Sequence, residues 1–186
     1  ASAVSFWEKG IAEYAKAARI LRAQGRDVRF LLAGTPDPGN PAAVPEATLR
    51  EWVEEGVLEW LGHVGNMREL YASVDIVVLP SYREGLPRTL VEAAACGLPL
   101  ITTDVPGCRE VVTDGVDGLL VPMGDSEALA RAMARLQDDP AFARQLGDAA
   151  RRKARAQFDE RIVVERTLAV YTELCTASQA SVESSV

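Results

Sequence analysis

The chain has 186 residues, 48% of them hydrophobic and 25% charged, the composition of an ordinary globular domain with enough apolar mass for a core. Its 20 basic and 27 acidic residues leave a net charge of −7, which argues against a nucleic-acid or anionic-membrane surface as the main feature. Three widely spaced cysteines (Cys96, Cys108 and Cys175) lack metal-ligand spacing and predict a reduced, cytoplasmic chain, and no apolar run approaches the length that spans a bilayer.

In chain order, "KGIAEYAKAARILRAQG" sets Ile11, Tyr14, Ala15, Ala18 and Leu21 at helical spacing and stops at Gly25. "VRFLLAG" reads as a buried strand, "TPDPGNPAAVPE" as a loop, and "PEATLREWVEEG" as a helix with Pro45 near its start. "VLEWLG" is a strand and "NMRELYASV" a short helix capped by Asn66. "DIVVLPS", apolar on both faces, predicts a central strand, followed by a helix from Pro87 to Cys96 and the strand "PLITT". A short helix over "GCREVVTDG", a strand over "DGLLVP" and a helix over "DSEALARAMARLQDD", capped by Asp125 or Ser126, come next. Helices around 140–156 and 159–175 complete a domain over residues 1–175, and residues 176–186 read as a flexible tail. Strands alternating with helices on short loops predict an α/β, Rossmann-like open parallel sheet with helices on both faces. The basic run "RRKARAQF" reads as a solvated helix face, with a patch for lipid or phosphate as the less favoured reading.

Ligands in open parallel sheets sit beyond the carboxyl ends of the strands, which directs attention to "SYREGLPRTLVE" after "DIVVLP". Gly85 removes a side chain, so a ligand can approach the backbone. Pro87 suits the first helical position, which leaves the amides of Arg88, Thr89 and Leu90 open at a helix N-terminus, a ready anion site. Glu92 shares a helix face with Arg88 and Thr89 and leans back toward that turn, where its carboxylate can accept bonds from vicinal hydroxyls, as on a ribose. Glu84, in the loop before the turn, can hold hydroxyls of whatever the phosphate carries. By spacing alone two readings stand side by side: this pocket, or an exposed loop acid followed by an ordinary Arg88–Glu92 pair four residues apart.

The segment "PSYREGLPRTLVEAAACGLPLITTDVPGCREVVTDGVDGLLVP" resembles the donor-binding half of a retaining, GT-B-fold glycosyltransferase of family 4. Glu84 and Glu92 match that family's pattern of two glutamates separated by seven residues. "EKGI", "LLAG", "VLEWLGHVGNMRELYASVDIVVLPS" and "GLLVPMGDSEALARAM" match in the same order, so the similarity covers nearly the whole chain. The resemblance implies that Glu84 contacts the donor sugar and is the catalytic residue, that Glu92 binds the ribose, and that Gly85, Leu86, Pro87, Arg88 and Thr89 meet the diphosphate. It assigns Lys9 to the diphosphate as well, as a charge that offsets the departing nucleotide. It puts His63 and Val64 of "GHVGN" beside the base. The family usually carries an arginine about five residues before Lys9, where Val4 stands here, so either that arginine is absent or the first strand is truncated or altered in this chain. Taken alone, Lys9 also reads as a solvated first-turn lysine and His63 as a surface histidine.

The implied partners are a nucleotide-sugar donor, UDP-linked by expectation, a preceding acceptor domain of the same protein, and a lipid-linked or polysaccharide acceptor in bacterial surface-glycan synthesis. The start "ASAVSF", without Met, fits either a processed protein or a piece of a longer one; the expected parent is cytoplasmic, peripheral at the inner membrane face and about twice this length. Such a half binds donor weakly and turns over little by itself. The chain has no Asp-x-Asp pair of the kind typical of metal-dependent sugar transfer, so no metal or cofactor is expected; Gly-x-Gly-x-x-Gly, P-loop and calcium-loop patterns are also missing. Two other functions compete with the transferase: a noncatalytic nucleotide- or phosphate-binding module, and half of a sugar-nucleotide epimerase.

Overall fold

The computed structural model describes residues 2–3, 7–36, 39–159, 161–162, 164, 168–169 and 171. Strands and helices follow in the order β1 (Ser2–Ala3), α1 (Ile11–Ala23), β2 (Leu31–Ala33), α2 (Glu46–Glu54), β3 (Glu59–Gly62), α3 (Met67–Ala72), β4 (Val77–Leu79), α4 (Arg88–Cys96), β5 (Leu100–Thr103), α5 (Pro106–Val111), β6 (Leu119–Val121), α6 (Ser126–Asp138) and α7 (Pro140–Gln157). Local signals set most boundaries. At the end of α1 the Gly25 amide returns to the Arg22 carbonyl and the Arg26 amide to the Leu21 carbonyl, the paired closure that a glycine after a helix permits. The Asn66 side chain accepts from the Glu69 amide, and Asp125, rather than Ser126, caps α6 by accepting from Ala128 at 2.8 Å. The second predicted terminal helix is helical at residues 161–162, 164, 168–169 and 171, while its other positions, Cys175, Val4 and the predicted tail lie outside the described residues.

Among the described residues all strand pairing is parallel, as the alternation predicts, in the orders β1-β2-β3 and β4-β5-β6. β1 lies beside β4. β4 is fully buried and lies between β1 and β5, the central position its apolar pattern predicts.

Side chains of β4 and β5 alternate between two cores, as a period of two requires. Val78 and Ile101 pack with Ile11, Leu21, Leu49, Leu129 and Leu146 beneath α1, α2 and α6. Val77, Leu79 and Leu100 pack with Leu90, Ala93, Cys108 and Val111 beneath α4 and α5. Helices therefore cover both faces. α7 serves both cores, through Leu146 on one and through Ala150 and Ala154 on the other.

Candidate functional site

The chain runs outward from β1 to β2 and β3, then returns to lay β4 against β1 and continues to β5 and β6. The order reverses between β1 and β4, the position where an open α/β sheet leaves a crevice beyond its carboxyl ends. The loops leaving those two strands carry Lys9 and Glu84.

Backbone contacts fasten the two loops together. A tight 3-10 turn at Trp7–Lys9 follows β1, and its Glu8 carbonyl accepts from the Tyr82 amide at 2.8 Å. The buried Ser81 hydroxyl lies 3.1 Å from the same carbonyl and from that of Arg83. Gly10 caps α1 in the left-handed region, and a Cβ there would lie 2.0 Å from the Pro80 oxygen. From behind, α5 presents Gly107, where a Cβ would lie 2.1 Å from the Gly85 carbonyl oxygen and 2.3 Å from that of Glu84. Thr103 donates to the Ser81 carbonyl, and Thr102 donates to that of Leu79 at 2.7 Å while lying 3.0 Å from the Cys108 sulfur. Burial, with the Glu84 charge adding to it, pushes the Cys108 thiol up, so it serves as packing. On this braced frame the Lys9 ammonium and Glu84 carboxylate meet at 2.7 Å, their side chains 25% and 11% exposed.

The α4 terminus differs from the sequence expectation in two respects. Pro87 has φ −73° but an extended ψ of 101°, so it caps the helix and Arg88 is the first helical residue. The Leu90 amide is not open, because it donates to the Pro87 carbonyl at 3.0 Å. The Arg88 and Thr89 amides remain without an acceptor among the described residues. Gly85 and Leu86 are exposed, and a Cβ on Gly85 would meet open space. Arg88 and Glu92 form the four-residue ion pair at 3.7 Å, with the arginine side chain 91% exposed. A pair this open is held loosely and can be exchanged for a ligand.

Tyr71, absent from the sequence reading, donates to Glu92 at 3.3 Å and lies 3.4 Å from the Thr89 carbonyl. Its phenol is raised by burial first and by the Glu92 charge second, so it stays a neutral donor. No local spacing links Tyr71 to Glu92; only the packing of α3 on α4 does. Glu13, another omission, is buried against Tyr82, and its Oε2 lacks a partner among the described residues. His63 is exposed after β3, while Val64 packs on the small cluster of Ala33 and Leu70; neither is brought against Lys9 or Glu84. Two wider hollows, one between α1 and α6 and one along Phe30, Ile76 and Met133, do not border Lys9, Glu84 or Glu92. Among the described residues no three His, Cys, Asp or Glu side chains are grouped to hold a metal ion.

The family model described as "Glycosyl transferases group 1" matches residues 1–139. A Campylobacter jejuni N,N'-diacetylbacillosaminyl-diphospho-undecaprenol alpha-1,3-N-acetylgalactosaminyltransferase is 31% identical over 167 residues, covering 90% of this chain and 42% of that protein. The capsular polysaccharide biosynthesis glycosyltransferase CapM of Staphylococcus aureus is 26% identical, covering 92% and 45%. Among solved structures, sucrose-phosphate synthase from Thermosynechococcus elongatus superimposes with a TM-score of 0.79 at 31% identity, covering 95% of this chain and 45% of that one. Anabaena HepE in complex with UDP-glucose superimposes with a TM-score of 0.81 at 24% identity, covering 92% and 48%, a likeness of fold. The chain spans less than half the length of each of these proteins.

Proposed function

The chain belongs to the group 1 glycosyl transferases, and on that premise we propose that it is the donor-binding half of a retaining GT-B enzyme that moves a hexosyl group from a UDP-linked sugar to a lipid-linked or polysaccharide acceptor. The observation that carries this reading is the meeting of Lys9 and Glu84 at the strand-order reversal, beside the open amides of α4. When the bond between the sugar and the diphosphate breaks, negative charge develops on the leaving phosphate. Lys9 and the Arg88 and Thr89 amides are fixed before the reaction, so they stabilise that charge without reorganising. In this reading they supply the counter-charge without a metal. Glu84 accepts bonds from sugar hydroxyls and stands near the ring carbon that becomes positive; Glu92, oriented by Tyr71, accepts from the ribose.

The acceptor class is supported by the Campylobacter relative, which is named for a diphospho-undecaprenol-linked sugar. Such an acceptor works at a membrane surface, and no helix among the described residues is long and apolar enough to cross a bilayer.

Calorimetric titration of the chain with UDP, GDP and ADP tests the donor site. Binding of one diphosphate is expected, weakened about tenfold by Glu92→Ala, which corresponds to the loss of roughly one ribose hydrogen bond. If none of the three binds, or if Glu92→Ala leaves the profile unchanged, the site is wrong.

A further inference from the structure

Lys9 and Glu84 are not merely close; each is the other's partner. Nζ donates to Oε1 at 2.7 Å, and Glu84 Oε2 has no partner among the described residues. A phosphate oxygen that accepts from the same ammonium at an ordinary distance lies roughly 4.5 Å from the carboxylate oxygen, because two acceptors must share one tetrahedral nitrogen. At that separation, in a half-buried site, like charges repel appreciably. The backbone that carries the carboxylate is held in place, since Gly107 backs the carbonyls of Glu84 and Gly85 with no room for even a methyl group.

The two nucleotides that visit such a site differ just there. A nucleoside diphosphate ends in a terminal phosphate with about two negative charges near neutral pH. A nucleotide sugar presents an esterified phosphate with a single charge, followed by hydroxyls that can donate to Glu84. Resting on the donor-binding reading above, we propose that the Lys9–Glu84 pair discriminates the intact donor from the spent nucleotide. Lys9 attracts both. Glu84 opposes the doubly charged terminal phosphate and is reconciled to the esterified one by bonds from the sugar. Once the sugar has left, the same carboxylate faces an extra charge and no hydroxyl, which favours release of the nucleoside diphosphate.

The test is calorimetry on the 186-residue chain with whichever of UDP, GDP or ADP the wild type binds, and with the glucose conjugate of that nucleotide. Glu84→Gln keeps the side-chain volume and removes the charge. It is expected to tighten the bare diphosphate about three- to tenfold and to leave the conjugate unchanged or several-fold weaker, moving the ratio of the two Kd values about tenfold. Lys9→Gln is expected to weaken both ligands alike. Equal shifts of both ligands in Glu84→Gln, or none, overturn the discrimination while the donor site stands. Retention of full affinity by Lys9→Gln overturns it too, since the pair then does not face the phosphate. A wild type that binds no diphosphate overturns the donor site itself, and the discrimination with it.

Discussion

At the residue scale, two kinds of information sat differently in the sequence. Glu84, Glu92 and the intervening turn were legible because they lie on one continuous loop and helix, where spacing determines geometry. Their partners were not. Lys9 is 75 positions from Glu84, and Tyr71 is 21 from Glu92. Such separations carry no periodic signal; Lys9 came from the resemblance, and Tyr71 was missed. The Leu90 amide was misread for a subtler reason. The extended ψ of Pro87 moves the helix start by one residue and lets its own carbonyl take that amide. Gly10 shows what a single residue carries here. With φ 68° and only 2.0 Å between its would-be Cβ and the Pro80 oxygen, Gly10→Ala meets both backbone strain and overlap. The variant is expected to lose about 2–4 kcal/mol of stability, read as a lower urea midpoint with little change in slope. Unchanged stability would show that the two loops are not fastened at this point.

At the scale of elements, strand and helix identities followed from periodicity, while strand lengths were overestimated. "VRFLLAG" is a strand over Leu31–Ala33, with backbone bonds from the Glu59 amide to the Phe30 carbonyl and from the Gly34 amide to the Gly62 carbonyl at its two ends. The "TDGVDG" turn, read as lacking calcium-loop spacing, instead ties elements together. Asp117 is buried, accepts from the Thr113 amide at 2.6 Å and pairs with Lys153 of α7 at 3.3 Å, while that ammonium also reaches the Thr113 hydroxyl at 3.1 Å. Removing the acid leaves the Thr113 amide unpaired and the half-buried Lys153 ammonium with the Thr113 hydroxyl and no counter-charge, whereas removing the cation leaves the acid one remaining partner. Asp117→Ala is accordingly expected to cost about 3 kcal/mol and Lys153→Met about 1 kcal/mol, measured by denaturant unfolding. The reverse order would mean that the turn does not depend on the pair.

At the scale of the whole molecule, α7 determines whether the chain behaves as one body. Leu146 packs into the core beneath α1 and α6, and Ala150 and Ala154 pack into the core beneath α4 and α5. Trp52 and Trp60 belong to the first core, Trp7 packs edge-on against Trp52, and the second core holds no tryptophan among the described residues. Tryptophan fluorescence and far-UV circular dichroism are expected to give coincident thermal midpoints; a tryptophan transition at a separate temperature would show that the two cores melt independently. By itself the sequence determined the alternation of strand and helix, the helix caps and the loop that carries Glu84 to Glu92, because those are governed by neighbours along the chain. Only the tertiary structure decided that the strand order reverses where β4 lies beside β1, and that Lys9 therefore meets Glu84. Those contacts come from closing long loops around two shared cores, and their free energy belongs to packing between distant segments rather than to any local pattern.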